Sequence, residues 1–180
     1  MELRPSSPHG PLLSQYQALF ASCFPDATHL DAQYLSWLYG DNPAGPVIGF
    51  DAWDGDVLAA HYVCVPAAAM LHGKPSRVLL SLNTATAPSH QGKGLFTKLA
   101  NATYDRGAEL GFDAVYGVAN ANSSNRSGPS NGRVASMARC GSRAIRSGSP
   151  DSAERGMEMR VASSATRSWR TSRLLLRCLR

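Results

Sequence analysis

The stretch "APSHQGKGLFTKLANATYD", residues 87–105, places a glycine-rich turn directly between an apolar run and a helical pattern. After the turn, apolar residues recur at helical spacing as far as Gly111, which is suited to cap a helix. The backbone N–H groups of such a turn point outward, and the helix dipole adds partial positive charge. This stretch therefore predicts a site for anionic oxygens, and phosphate is their natural source.

The segments on either side of the turn read as strands. "RVLLSLNTA", residues 77–85, is apolar on both faces over its first half, as a central strand is. "FDAVYGVA", residues 112–119, follows the helical pattern as a second buried strand. Strand, turn, helix and strand form a βαβ unit, which favours a right-handed crossover and a parallel pair within a mixed sheet.

Two amphipathic helices precede these strands. Apolar residues from Leu12 to Cys23 recur every three to four positions, and Pro25 ends the pattern. A second stripe begins after Asp31, a suitable N-cap, and Gly40 stops it.

The period then changes to that of strands. Three further strands are predicted at about 47–53, 57–65 and 67–72, with Asp54-Gly55 as a type I′ hairpin turn between the first two. The predicted fold class is α/β (α+β), with a mixed, mostly antiparallel sheet flanked by helices.

Charge divides the chain in two. Residues 1–122 contain 6 basic and 10 acidic side chains, whereas residues 123–180 contain 12 arginines and 3 acids. The second segment also has 13 serines, no Lys, Phe or Tyr, and only 7 Leu, Ile, Val or Phe among 58 residues. This share is below the roughly 20% under which a strongly charged segment is not expected to fold alone. We expect a domain over residues 1–123 and a disordered Arg/Ser-rich tail over 124–180, with a short helix around 174–179.

Several classes of protein are not indicated. The four cysteines lie far apart with no CxxC pair, which argues against a zinc site or a disulfide framework and favours buried thiols. No apolar run approaches the roughly 18 residues of a membrane span, and residues 1–11 contain three prolines and no apolar run of the kind that a secretion signal has. We therefore expect a cytoplasmic protein without a metal or a membrane partner.

The turn matches neither GxxxxGK[ST] nor GxGxxG, so a nucleotide P-loop and a dinucleotide fold are not indicated. It resembles the pyrophosphate-binding turn of the GNAT acyltransferases, [RQ]xxGx[GA], in the run Gln91-Gly92-Lys93-Gly94-Leu95-Phe96. Thr84, Thr86 and Pro88 stand where that family's fourth strand ends, and "ELGFDAVYGVANANS" is similar to its next helix end and fifth strand. The match covers about residues 78–123, and Phe96 departs from the small final residue.

This resemblance implies a GNAT-like acyl-CoA-binding domain with acetyl-CoA as cosubstrate. Pantetheine would pair with the backbone near Thr84–Thr86, and pyrophosphate would bind the amides of residues 91–97. The implied binding residues are Thr84, Thr86, Gln91, Gly92, Lys93, Gly94, Leu95, Phe96 and Thr97. The implied reaction is direct attack of a primary amine of a small molecule or sugar on the thioester. N–H groups near a strand bulge would stabilise the oxyanion.

The acceptor side is less defined, and the catalytic residues stay unknown. Members of the family often protonate the leaving thiolate with a Tyr on the helix after the fifth strand, but this chain has no Tyr beyond Tyr116. The start of that segment is recognisable only at residues 120–123. Four polar residues in the strand region are candidates, although a core or hairpin-surface role is the commoner one for each: His61, Asp51, Asp54 and Tyr62.

Other interpretations remain open. Residues from about 124 onward are atypical for the family, and a shifted reading frame would explain the loss of Lys, Phe and Tyr together. The chain would then be an impaired enzyme or a non-catalytic acyl-CoA-binding remnant. An Arg-rich arm that binds nucleic acid ranks below a tail without function, because stacking aromatics are nearly absent. A homodimer is compatible with the sequence.

Overall fold

A computed structural model describes residues 1–71, 73–118, 135–139, 158–162 and 169–173. The helices are α1 (Leu12–Cys23), α2 (Ala32–Tyr39) and α3 (Leu95–Glu109). The first five strands are β1 (Glu2–Pro5), β2 (Ile48–Asp54), β3 (Val57–Leu71), β4 (Lys74–Thr86) and β5 (Ala114–Val118). Three more follow, β6 (Ala135–Arg139), β7 (Glu158–Ala162) and β8 (Trp169–Arg173).

The described strands form one sheet in the order β1-β2-β3-β4-β5-β6, with β7 pairing β3 and β8 pairing β7. Only β4 and β5 pair in parallel among these strands, and α3 connects them as the crossover helix. The predicted fold class, a mixed and mostly antiparallel sheet flanked by helices, is confirmed.

Helices cover both faces of the sheet. The stripe of α1 and α2 packs on one face, where Val63 and Val65 of β3 point. Helix α3 packs on the other face, against Tyr62 and Cys64 of the same strand. Because successive side chains of a strand point to opposite faces, one strand serves both cores. The predicted N-cap of α2 is also present, since Asp31 Oδ1 accepts a hydrogen bond from Tyr34 N at 2.7 Å.

The break predicted between the strands 57–65 and 67–72 is wrong, because β3 runs without interruption through Pro66. Pro66 O accepts a hydrogen bond from Asn42 Nδ2, so the backbone of Pro66 faces away from β4. On that side the pairing of β3 with β2 has already ended at Cys64. The proline therefore removes no hydrogen bond from the sheet.

The hairpin turn is shifted by one residue from the prediction. Asp54 pairs with Val57, so the two central residues are Gly55 and Asp56. Gly55 has φ +59°, whereas Asp56 is not among the residues with positive φ. Glycine at the first central position is typical of a type II′ turn, which replaces the predicted type I′ turn.

Strand β4 contains a bulge close to the point where it leaves β5. Its register with β3 shifts opposite His61 to Val63, and Asn83 has φ +51°. The parallel pairing with β5 ends at Ser81↔Gly117. The bulge and the separation from β5 thus occur within the same few residues.

Residues of the predicted tail also contribute strands. Strand β6 pairs with β5, β7 pairs with residues 69–71 of β3, and neither was predicted. Strand β1 was not predicted either; it pairs with β2 from Glu2 to Pro5. The predicted helix around 174–179 and the segment 120–123 lie outside the described residues.

Candidate acyl-CoA site

The glycine-rich turn leads directly into α3. A short 3-10 helix at Pro88–His90 precedes it, and Gly92 and Gly94 have φ values of +75° and +68°. Most side chains would be strained at such angles, whereas glycine is not. A Cβ atom at either glycine would meet nothing within 4 Å, so open space lies over the turn.

The N–H groups of this turn are available to a ligand. Gly94 is the N-cap of α3 and supplies no side-chain cap, and among the described residues the amides of 91–97 donate no turn or capping hydrogen bond. Lys93 is exposed at the rim of the turn. The side-chain amide of Gln91 donates a hydrogen bond to Thr86 O at 3.4 Å. Unpaired amides at a helix N-terminus suit the oxygens of a phosphate.

The turn is tethered to the β2–β3 hairpin. His90 Nε2 lies 3.1 Å from Asp54 Oδ2, and Ser89 Oγ lies 2.9 Å from His90 Nδ1. The hydrogen bond from His90 lowers the pKa of Asp54. Asp54 therefore supports the turn from the hairpin surface, which is the commoner of the two roles considered for it, and its role on the acceptor side stays a prediction.

An open strand edge adjoins the turn. Beyond Ser81, the side of β4 that faces β5 has no partner among the described strands, and this edge includes Thr84 and Thr86, both half-buried. Phe96 is 53% exposed and its ring meets that of Tyr62 edge-on, with centroids 5.5 Å apart. The side chain of Leu95 is buried in the core, so this residue offers the turn only its backbone.

Three hydroxyl groups meet on the α3 face where β4 and β5 separate. Tyr62 Oη lies 2.8 Å from Ser81 Oγ and 3.0 Å from Tyr104 Oη. Burial raises the pKa of Tyr62, so its hydroxyl stays protonated at neutral pH. Tyr62 packs on the α3 face of the sheet, whereas His61, its neighbour on β3, points to the opposite face.

A polar network is buried on the α1 and α2 face. Asp51 and His61 are cross-strand partners, and His61 Nδ1 lies 2.6 Å from Asp51 Oδ1. Ser6 donates to Asp51 Oδ1 and Tyr16 donates to Asp51 Oδ2, both at 2.7 Å. Asp51, His61 and Tyr16 have no exposed surface. Burial, and then the Asp51 carboxylate, raises the pKa of Tyr16.

The network continues from His61 to the bulge of β4. His61 Nε2 lies 2.8 Å from Tyr39 Oη, and Asn83 Nδ2 donates to Tyr39 Oη at 3.3 Å. Tyr39 is also fully buried, and burial raises its pKa. A hydrogen-bonded path thus crosses the core from Ser6 to Asn83.

Sequence reasoning identified only part of this arrangement. It named Asp51 and His61, but it missed Tyr16, Tyr39 and Asn83. Asn83 offered one usable signal, because asparagine is depleted in strands and enriched where φ is positive. Nothing local in the sequence links Tyr16 and Tyr39 to the same hydrogen-bonded path.

A separate open cleft of about 440 Å³ lies near the C-terminal end of α3. Of its two arginines, Arg77 donates to Leu110 O and lies over the Phe112 ring, and Arg106 pairs with Glu109. The cleft contains no residue of the turn or the bulge. In the part of the chain that the structure describes, no group of three or more metal-ligating side chains is found, and no helix could span a membrane.

Comparison with known proteins places the chain among acetyltransferases. A family model described as an acetyltransferase (GNAT) domain matches residues 12–126. No curated protein matches the sequence. Among solved structures, the fold is similar to that of an aminoglycoside 6′-N-acetyltransferase complexed with coenzyme A, with a TM-score of 0.53 at 17% identity over 66% of this chain.

Two further structures show the same fold. Eis1 from Mycobacterium abscessus has a TM-score of 0.55 at 14% identity over 70% of this chain. YhbS, a GNAT family N-acetyltransferase from Escherichia coli in complex with CoA, has a TM-score of 0.54 at 19% identity. It aligns with 71% of this chain and 67% of its own length. The match spans 61% of the aminoglycoside acetyltransferase and 31% of Eis1.

Proposed function

Because the chain belongs to the GNAT acetyltransferase family, we propose that it transfers an acetyl group from acetyl-CoA to a primary amine of a small molecule or sugar. One observation carries this proposal. The open amides at the N-terminus of α3 adjoin the strand edge of β4 that lacks a partner. The first suits a pyrophosphate and the second suits an extended amide-bearing chain, and coenzyme A contains both in that order.

The residues present fit such a ligand. Gly92 and Gly94 leave open space over the turn, the amides of 91–97 would bind the pyrophosphate, and Lys93 would add a mobile positive charge. The backbone of Thr84–Thr86 would hydrogen-bond the pantetheine amides in the manner of an added strand. Together with the Gln91, Leu95, Phe96 and Thr97 backbone, these residues form the proposed binding site.

The reaction would occur near the bulge at Asn83. A neutral amine attacks the thioester carbonyl, and N–H groups at the bulge stabilise the oxyanion. The thiolate departs with the electron pair of the C–S bond and takes up a proton. Tyr62, Ser81 and Tyr104 are the hydroxyl groups placed where β4 and β5 separate, and they are candidates for the proton donor.

The test is a calorimetric titration of the full chain with acetyl-CoA, followed by assays of thiol release with glucosamine, an aminoglycoside and small aliphatic amines. We expect saturable binding that is lost in the double variant Gly92→Glu with Gly94→Glu, because carboxylates would occupy and repel the anion site. A folded parent that binds acetyl-CoA but transfers it to no amine would favour the non-catalytic remnant. A folded parent that does not bind would overturn the proposal.

A further inference from the structure

The buried network fixes the direction in which its protons point. Asp51 accepts hydrogen bonds from Ser6 and Tyr16, and its Oδ1 atom also meets His61 Nδ1. An ionised carboxylate only accepts, so Nδ1 of His61 carries a proton. Tyr39 Oη accepts a hydrogen bond from Asn83 Nδ2, so its own proton is directed to its other partner, His61 Nε2.

This order of donors determines the orientation of the Asn83 amide. Asn83 Nδ2 donates to Tyr39 Oη at 3.3 Å, so the amide presents its NH₂ group to the network. The other end of the amide, Oδ1, then points away from the network. It accepts no hydrogen bond from the residues that the structure describes.

The position of Asn83 gives this oxygen a use. Asn83 lies in the bulge of β4, half-buried, two residues beyond the last pair between β4 and β5. Under the proposed function, the thioester lies beside this bulge. The aligned hydrogen bonds and the buried carboxylate at the far end increase the negative charge on Oδ1. The bulge therefore presents a fixed, electron-rich acceptor beside the reacting carbon.

We propose that Asn83 Oδ1 binds the amine acceptor, and that Asp51, His61 and Tyr39 are positioning residues that hold the amide in this orientation. This inference rests on the proposed function. A neutral primary amine has two N–H donors and one lone pair. A hydrogen bond from one N–H to Oδ1 leaves the lone pair free to face the thioester carbonyl.

The step balances without a further reactant. The nitrogen lone pair forms the C–N bond, and the C–S bond breaks with its electron pair leaving on the thiolate. The nitrogen loses one proton to water, and the thiolate gains one from water or a nearby hydroxyl. The products are an N-acyl amine and free coenzyme A.

Three single variants of the full chain test the proposal. Asn83→Gly removes the side chain but keeps the left-handed backbone angle. Tyr39→Phe frees the amide to rotate. Tyr34→Phe is the matched control, because it lies on the same helix and its hydroxyl has no hydrogen bond to any residue that the structure describes. We expect Asn83→Gly to lower kcat/KM for the amine about tenfold to a hundredfold. Acetyl-CoA affinity by calorimetry should stay within about twofold.

A double variant separates positioning from folding. Both carboxylate oxygens of Asn83→Asp are acceptors, so this side chain needs no partner to present one. Beside Tyr39, whose proton is committed to His61, the new carboxylate is disfavoured, and Asn83→Asp alone should be impaired. In the Tyr39→Phe background it should restore kcat/KM for the amine above that of Tyr39→Phe. If the two single variants lost activity only through structural damage, their losses in kcat/KM would add in the double variant.

Three results would overturn the inference. The first is Asn83→Gly with parental kinetics toward the amine. The second is a loss that appears in acetyl-CoA affinity alone. The third is a double variant in which the two losses add. A parent that binds acetyl-CoA and acetylates an amine while Asn83→Gly is unchanged leaves the proposed function intact. A folded parent without acetyl-CoA binding overturns both.

Discussion

His61 is an ordinary-looking residue in the sequence and one of the most constrained side chains in the structure. Its ring lies 4.2 Å from that of Tyr16 and 5.5 Å from that of Phe20, measured between centroids. Both of its nitrogens have partners, and it has no exposed surface. A buried polar group with all its hydrogen bonds made is tolerated, but one that loses a partner is costly.

Two aspartates on β2 allow this cost to be measured. Asp51→Ala removes the acceptor of Ser6, Tyr16 and His61 and should lower the free energy of unfolding by about 3–5 kcal/mol. Asp54→Ala, at the exposed end of the same strand, should change it little. Urea denaturation of both variants is the measurement. Equal losses in the two would show that the buried network contributes no more than a surface pair.

At the scale of elements, the turn before α3 and the β2–β3 hairpin each contain a glycine with positive φ, but the two glycines have different roles. Gly94 and Gly55 have φ values of +68° and +59°, and a Cβ atom at either would meet nothing within 4 Å. The hairpin glycine only reverses the chain. The turn glycine also aims amides at open space at a helix N-terminus, which is the part that would bind an anion.

The two glycines form a matched pair for this distinction. We expect Gly94→Ala to lower the free energy of unfolding by about 1–2 kcal/mol, because it places Cβ in a left-handed helical conformation, and Gly55→Ala to lower it at least as much, because the first central position of a type II′ turn also requires positive φ. Only Gly94→Ala should weaken the binding of acetyl-CoA, because it displaces the turn and places a Cβ atom over the backbone amides. Urea denaturation and calorimetry distinguish the effects. Equal acetyl-CoA affinity in both variants would contradict a role of this turn in binding.

At the scale of the whole molecule, buried tyrosines on both faces of the sheet make the stability depend on pH. Tyr16 and Tyr39 are buried on the α1 and α2 face and Tyr62 on the α3 face. Burial raises the pKa of all three above the usual value of 10.0. Each must stay protonated for its core to remain packed, so ionisation is coupled to global unfolding.

This coupling predicts instability at alkaline pH. A raised folded pKa means that the stabilisation is complete below the unfolded pKa near 10 and is lost as pH rises toward the folded pKa. Above about pH 10 each such tyrosine should reduce the free energy of unfolding by about 1.4 kcal/mol per pH unit. Urea denaturation at several alkaline pH values measures the slope, which Tyr39→Phe should reduce by one tyrosine. A slope unchanged in Tyr39→Phe would contradict the assignment.

Much of the fold followed from local chemistry in the sequence. The spacing of apolar residues predicted α1, α2 and α3, Asp31 predicted the cap, and the run from residue 77 to 119 predicted the parallel βαβ unit. These features depend on neighbours within a few residues, which the sequence displays directly. The binding roles of Thr84, Thr86 and residues 91–97 stay predictions, as do the boundary at 123/124 and the cytoplasmic location.

What the sequence by itself determined, then, is the helices, the turn and the crossover, because each is set by spacing and by local backbone preference. The tertiary structure alone decided the register. An unbroken hairpin around Gly55 and Asp56 would place Asp51 opposite Ala60, but the irregularity at Ala52/Trp53 places it opposite His61. Tyr39 and Asn83 lie 44 residues apart and meet only because the last residue of α2 lies beside the β4 bulge. A one-residue shift reverses which face a side chain occupies, and no local pattern encodes it.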